Sequence, residues 1–523
     1  MLSLFRSGLF AGLFMLLTAC AGSGPETTES SDPPESGSVL KRKNIDDLTA
    51  AELAAYEHAV EMMKKKSLAN PFDRTGFTWQ AWVHNCTNIW ASANRELDPA
   101  HEDANRACGF FQPKPADTYH MEHPGMCEHG KDIFLPWHRA EFYFYEKALQ
   151  ASDPNGLEGP ATEDVTVPYW NFTKRPSGSR YPLAFENQSS PLYHERRNHD
   201  ALTTPYAFTS PYLLAYQIYY MDWEDFGGYE VGAAGNYGAF EAQIHNPMHG
   251  TYVGGDLGGT STAALDPLFF SFHAYIDYIF EAWIEEHSAA AVTSKRQFMR
   301  AQQDKGLPLP PDFSEGTGTA PPGNGTMNMG RAEIYFDLAK LGYEYQPGPD
   351  GEFIPKPEIE ALVAKHKQAG FNFGSSEISL FSALLSYGDY GPSPQPGATF
   401  QGALTIPNTV PPATKYLLEI VRPASADDYT FQADVYIHPA NVEADIGNAE
   451  FRHKYLAVST AYWALGEQHS TTPSSTRLTS NITAVIESLV AGGKGGEDWQ
   501  VSLAIKAEPG HDLNFENPTV TIN

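Results

Sequence analysis

The period of the hydrophobic pattern changes near residue 400, and this constrains the fold more than any other feature of the chain. Before that point apolar residues recur at helical spacing, as in AAELAAYEHAVEMMKK from Ala50 and in the aromatics of DIFLPWHRAEFYFYEKALQ from Asp132. After it, TKYLLEIVRP, YTFQADVYIHP, KYLAVSTAYWAL and WQVSLAIKAEP alternate or are rich in β-branched residues, between turn signals. Side chains three or four apart share a helix face, whereas side chains two apart share a strand face. Blocks of each kind in one chain predict a mainly α domain followed by an all-β domain of sandwich or barrel type.

At 523 residues there is room for more than one core. Thr49 predicts an N-cap for the first helix. A second helix is expected from about Trp137, and helical pattern returns at 236–249 and 266–287. The Pro-, Gly- and Asn-rich stretch 151–235 reads as long loops. The expected boundaries are a histidine-bearing domain at 40–346, a linker at 347–399 containing the breakers PGPDG and GPSPQPG, and a β domain at 400–523. SNITAVIESLVAGG predicts one helix inside the β domain, with Ser480 as its cap and the glycines as its stop.

Residues 1–20 read as a leader: Arg6, then the apolar run Leu9–Leu17, then Leu17-Thr18-Ala19-Cys20. The run is too short for a stable membrane span. Its end resembles a lipobox, which implies lipidation of Cys20; ordinary cleavage near Ala21 is the alternative. Residues 21–39 read as a disordered tether. The expectation is export, with a lipid anchor in a bacterial envelope (outer membrane, facing the periplasm) or secretion. A net charge of −29 disfavours nucleic acid and anionic membrane surfaces, so membrane contact is expected only through the lipid.

Histidine concentrates at His84; at His120, His123 and His129; at His138; and at His245, His249 and His273. In HNPMHG, residues 245–250, the two rings would leave one helical face. Zinc more often adds a carboxylate or thiolate, and HExxH is absent. An all-imidazole set divided between two chain regions fits a copper pair better.

His129-Gly130-Lys131-Asp132-Ile133-Phe134-Leu135-Pro136-Trp137-His138-Arg139 closely resembles the first copper segment of the tyrosinase family. Asp266-Pro267-Leu268-Phe269-Phe270-Ser271-Phe272-His273-Ala274-Tyr275-Ile276-Asp277 resembles the second. Arg42-Lys43-Asn44-Ile45 looks like the family's start, Tyr343-Glu344-Tyr345 like the motif that closes its catalytic domain, and Phe431-Gln432-Ala433-Asp434-Val435 like the tail of plant-type polyphenol oxidases. The resemblance implies a four-helix bundle around two copper ions, with dioxygen as co-substrate and small phenols as substrates. One ion would be held by His84, His129 and His138, and the other by His245, His249 and His273. His120 and His123 compete with His84, which alone lies in an apolar, helix-like context.

The resemblance also implies roles around the ligands. Glu241 and Asn246 would hold a water that takes the phenol's proton; a helix-surface carboxylate and a local backbone contact are the alternatives. Thr260, or its rival Leu257, would stand at the substrate mouth. Asp277 would orient a ligating imidazole. Phe272 replaces a histidine common in relatives and is expected to point away. Arg42 and Tyr343 would close the domain. Cys127, two residues before His129, matches a fungal-type cysteine–histidine thioether, whereas the plant-type cysteine position is Asn88. That leaves Cys86 and Cys108 as a disulfide; the alternative is a Cys108–Cys127 disulfide. His58, His101, His194, His199 and His287 are expected at the surface. The implied activity is tyrosinase or catechol oxidase, latent until a protease removes the tail. Catechol oxidase only, o-aminophenol oxidase and a haemocyanin-like oxygen-binding protein are the alternatives.

Overall fold

In a computed structural model of the chain, residues 39–70, 73–84, 127, 129–174, 180–199, 207–228, 237–260, 262–293, 297–301, 326–368, 398–425, 429, 431–462, 474–507 and 513–522 are described. The leader with Cys20, the tether, Cys86, Cys108, His101, His120 and His123 lie outside them. Helix α1 (Ala50–Ala69) starts on a capping box: the Thr49 hydroxyl accepts from the Glu52 amide, and Glu52 accepts from the Thr49 amide. It buries Tyr56, Val60 and Met63. Helix α2 (Phe77–His84) packs beside it. Helix α3 (Phe134–Gln150) begins earlier than the expected Trp137. Pro136 lies in its first turn, where a missing N–H costs no helical bond.

Helix α4 (Pro211–Tyr220) is capped by Ser210, whose side chain accepts from the Leu213 amide. The stretch expected as a helix at 236–249 is helical from Ala239, with wide π-turns over Glu241–His245 and Met248–Val253. Asn246 N–H bonds to the Glu241 carbonyl, and Gly254 N–H to the His249 carbonyl, each five residues back. Pro247 has no N–H to offer a regular ladder, which accounts for the slip, and such turns are frequent at functional sites. Helix α5 (Leu268–His287) crosses α3 through the core.

Strand β1 (Leu40–Arg42) carries the chain start into the helical core. A hairpin-like pair, β2 (Gln297–Ala301) and β3 (Thr326–Arg331), precedes β4 (Tyr343–Tyr345). Strands β1 and β4 pair in parallel, with Arg42 opposite Tyr345. The Arg42 guanidinium lies 3.5 Å over the Tyr343 ring and donates to Glu146 at 2.8 Å and to Asp277 at 3.0 Å.

The β part consists of β5 (Ala398–Thr405), β6 (Tyr416–Ser425), β7 (Phe431–Pro439), β8 (Leu456–Tyr462), β9 (Ser474–Asn481), β10 (Asp498–Ala507) and β11 (Thr519–Ile522). They form two sheets, in the orders β5-β10-β7-β8 and β11-β6-β9, and neither closes on itself. Leu418, Ile420 and Leu478 of one sheet share a core with Val435, Ile437, Val501 and Leu503 of the other. Alternation of these residues with polar ones is what the sequence pattern requires.

Three features depart from expectation here. The stretch expected as a linker contains helix α6 (Lys356–Gln368), whose Ile359 and Val363 pack against Ala215 of α4. A short helix, α7 (Ala449–Tyr455), precedes β8. Helix α8 (Thr483–Ala491) starts after the expected Ser480: that residue lies within β9, opposite Leu418, and the Asn481 side chain accepts from the Thr483 amide instead.

The β part lies directly on the helical core. Lys415 donates to Asp222 at 2.8 Å and to Asp225 at 2.9 Å, and Asn481 donates to Asp225 at 2.7 Å. The end of β8 meets the π-turn segment, where Tyr237 and Ala242 join the β core and the Tyr237 and Tyr462 rings lie 6.0 Å apart.

Candidate metal centre

Helix α2 supplies His84, the loop before α3 supplies His129, α3 supplies His138, the π-turn segment supplies His245 and His249, and α5 supplies His273. All six are at most 5 % exposed. Ligand atoms of His245, His249 and His273 lie within 4.8 Å of one another. So do those of His84, Cys127 and His129, and those of His84, His138 and Glu141. The six rings form one cluster, with His138 and His273 stacked at 5.0 Å between the two groups.

The ring orientations follow from what holds each Nδ1. His138 Nδ1 faces the Phe134 carbonyl at 2.8 Å, and His273 Nδ1 faces the Phe269 carbonyl at 3.1 Å, each one turn back on its own helix. His249 Nδ1 faces the Leu257 carbonyl at 2.8 Å, and His245 Nδ1 faces Asn246 Oδ1 at 2.9 Å. His129 Nδ1 faces Glu241 Oε1 at 2.7 Å. An acceptor at Nδ1 puts the proton there and turns the Nε2 lone pair inward, as metal ligation needs.

Two observations show that a cation fits. His245 Nε2 and His273 Nε2 point at each other across 3.2 Å, which for two lone pairs calls for a cation or a proton. His138 Nε2 is buried and has no hydrogen-bond partner among the described residues. Burial also keeps the rings neutral: it pushes His138 down to about 4 and His249 to about 3, the backbone carbonyls partly opposing it. Burial, with the neighbouring imidazoles, holds His129, His245 and His273 well below the usual range as well.

Residues expected around the ligands divide into several outcomes. Glu241 is buried against His129, and both its oxygens accept from the Gly130 amide, at 3.0 and 3.1 Å. Burial pushes its carboxyl well above the usual range, opposed by that amide. Asn246 spends Oδ1 on His245 and donates Nδ2 to the Ala461 carbonyl of β8 at 3.0 Å. Thr260 is buried in the loop before α5, and the rival Leu257 is buried with its carbonyl on His249.

Among the described residues, Asp277 bonds to arginines and tyrosines and to no imidazole. It accepts from Arg42, Arg139, Tyr343 at 2.8 Å and Tyr345 at 2.7 Å, which makes it the knot of the chain-start network. Burial alone would raise its carboxyl, but Arg139 and Arg42 outweigh burial and hold it low. Phe272 does not point away: its ring stacks 5.8 Å from His245 and lies 5.1 Å from His249, an apolar wall beside those ligands. His58 is buried, not superficial, with Nε2 3.0 Å from Asp153, and His287 is half-buried against the Ile218 carbonyl.

Sequence reading passed over two residues. Phe269 lies 4.5 Å from the His84 ring and 4.0 Å from His273, so it spans the two groups. Glu141 is fully buried beside His84 and His138. Their only signals were positions four residues before His273 and three after His138.

Residues 74–213 and 185–286 match the common central domain of tyrosinase. Tyrosinase HcTyr1 of Hahella sp. (strain CCB-MM4) is 29% identical over 265 residues, 47% of this chain and 53% of that protein. Chloroplastic polyphenol oxidase A1 of Vicia faba is 26% identical over 507 residues, 88% of this chain and 73% of that one. The structure of latent apple tyrosinase superposes with a TM-score of 0.58 at 16% identity, covering 94% of this chain and 98% of that one, a likeness of fold. The first relatives are matched over only 38–53% of their own length. A helical core with a buried histidine centre and a β tail defines the class, and the chain carries the common central domain of tyrosinase and is related to tyrosinases and polyphenol oxidases.

Proposed function

We propose that the chain is a copper-dependent phenol oxidase that o-hydroxylates monophenols, oxidises o-diphenols to o-quinones, or does both, with dioxygen as co-substrate. The observation that carries this reading is the facing pair His245 Nε2 and His273 Nε2 within a cluster of six buried imidazoles. His84, His129 and His138 would hold one copper ion, and His245, His249 and His273 the other. The pair would supply the chemistry that activates dioxygen; neutral imidazoles tolerate both copper oxidation states. The protein's own part is orientation and exclusion of water. Glu241 and Asn246 fix the rings of His129 and His245, while Phe269 and Phe272 form dry walls. A water held by Glu241 and Asn246 would take the phenol's proton, with Thr260 at the mouth.

The tail would keep this chemistry latent, a reading supported by the Ala461 carbonyl on Asn246. A protease cutting within the linker at 347–399 would release it. Cys127 would be joined to His129 by a thioether, supported by its sulfur lying within 4.8 Å of ligand atoms of His84 and His129, with Cys86–Cys108 as a disulfide. Recovery of Cys127 as a freely alkylated peptide contradicts the thioether. Export and lipidation at Cys20 rest on the leader sequence alone. The metal reading is tested by dialysis of the purified chain against copper: two ions per chain are expected, and one or fewer after His138→Ala or His249→Ala. Two ions in either variant contradict the assignment.

A further inference from the structure

We propose that Asp256 is a positioning residue for His249: it fixes the loop whose Leu257 carbonyl orients that ring. The proposal rests on the copper reading above and concerns the ion held by His245, His249 and His273. His138 and His273 find their Nδ1 acceptors one turn back on their own helices, so each ring is set once its helix is set. His249 Nδ1 instead faces the Leu257 carbonyl at 2.8 Å, eight residues further on and in a loop. That ring is aimed only as well as the loop is placed.

The loop is placed by the segment 194–198. Asp256 Oδ2 meets His194 Nε2 at 2.9 Å and lies 3.7 Å from Arg196 Nη1. The Val253 carbonyl accepts from the Asn198 amide at 3.1 Å. Gly254 and Gly255 turn with φ of +62° and +58°, and a Cβ on Gly255 would collide with the Arg196 carbonyl oxygen, so the two backbones touch there. On its other side the loop is closed by the Thr262 hydroxyl, which donates to the Asp256 carbonyl at 2.6 Å. Asp256, 2 % exposed, is thus held through both its carboxylate and its carbonyl, and the next carbonyl in the chain is the one on His249. Glu241 fixes His129 by touching the ring, whereas Asp256 acts through the backbone, one residue away from the contact.

Equilibrium dialysis of the metal-stripped full chain against Cu(II) tests this. In Asp256→Ala one of the two ions should bind about 10-fold more weakly, the low end of what loss of a ligand's supporting partner costs, while the other is unchanged. Asp256→Asn, which keeps an oxygen for His194 Nε2, should recover most of the loss. Added to His249→Ala, Asp256→Ala should cause no further loss of copper, because the ring it positions is gone. A loss shared equally by both ions, wild-type affinity for both, or a further loss in the His249→Ala chain overturns the proposal and leaves the copper reading standing. A wild-type chain that binds no copper overturns both. Should Asp256→Ala not fold, Gly255→Ala decides, since its methyl group parts the loop from Arg196: loss at one ion upholds the proposal, and undiminished binding of both overturns it.

Discussion

Asn246 donates its side-chain amide to the main-chain carbonyl of Ala461 across 3.0 Å, over a separation of 215 residues. The same side chain accepts from His245 Nδ1 at 2.9 Å. One residue therefore joins the ring of a candidate ligand to a carbonyl near the end of the tail strand β8. In the closed chain one of its two amide hydrogens is spent on the tail.

Asn246→Leu removes both bonds. It leaves the Ala461 carbonyl buried without its donor, a loss of about 1–3 kcal/mol in tail docking. Less protease or denaturant should then release the tail, read as cleavage within the linker at 347–399 against time. In the trimmed chain the variant should lose tyrosine hydroxylation more than catechol oxidation. Equal loss of the two activities refutes the proton-handling role.

Glu241→Gln should weaken copper binding by about 10–100-fold, since the carboxylate that fixes His129 becomes a neutral amide. Copper retained against a competing chelator measures it. A cation at His129 Nε2 favours the ionised Glu241, against the burial that raises its carboxyl in the metal-free site. Unchanged retention sinks the positioning role.

Asp277→Asn should destabilise the chain by about 3–5 kcal/mol, because Arg42 and Arg139 keep their charges in a buried setting. Tyr343→Phe removes one hydrogen bond to that carboxylate and should cost about 1 kcal/mol. Urea midpoints read both. A change below about 1 kcal/mol for Asp277→Asn contradicts its role as the knot of the network.

The metal-free chain should lose stability as pH falls from about 6.5. Its folded imidazoles resist protonation, His138 down to about 4 and His249 to about 3, whereas the unfolded chain takes up protons near the ordinary histidine value. The unfolded state then binds more protons, so lowering pH favours it. Each such ring contributes a loss of roughly 2–3 kcal/mol by pH 4.5. Denaturant midpoints at pH 7 and pH 4.5 check this, and equal midpoints contradict it.

The sequence made the ligands legible because each has a local context: His245 and His249 four apart, His138 after Pro136-Trp137, His273 in an apolar helix. The change of period near 400 likewise announced the β part. What escaped depends on distant partners. Asp277 reads as one polar residue on α5, yet it is placed by Arg42, Arg139, Tyr343 and Tyr345. Glu241 meets His129 across 112 residues. The π-turns followed from Pro247, but a helical period does not distinguish them from α-turns. Helix α6 was hidden by the prolines and glycines that flank it.

The most direct test is oxidation of tyrosine and dopa by the copper-loaded chain, before and after limited proteolysis between the helical core and the β tail. Low activity before cleavage and a marked rise after it, with dopa oxidised and two coppers retained, is the expected result. A trimmed chain that keeps two coppers, binds dioxygen reversibly and oxidises neither phenol would make it an oxygen-binding protein and contradict the phenol oxidase reading.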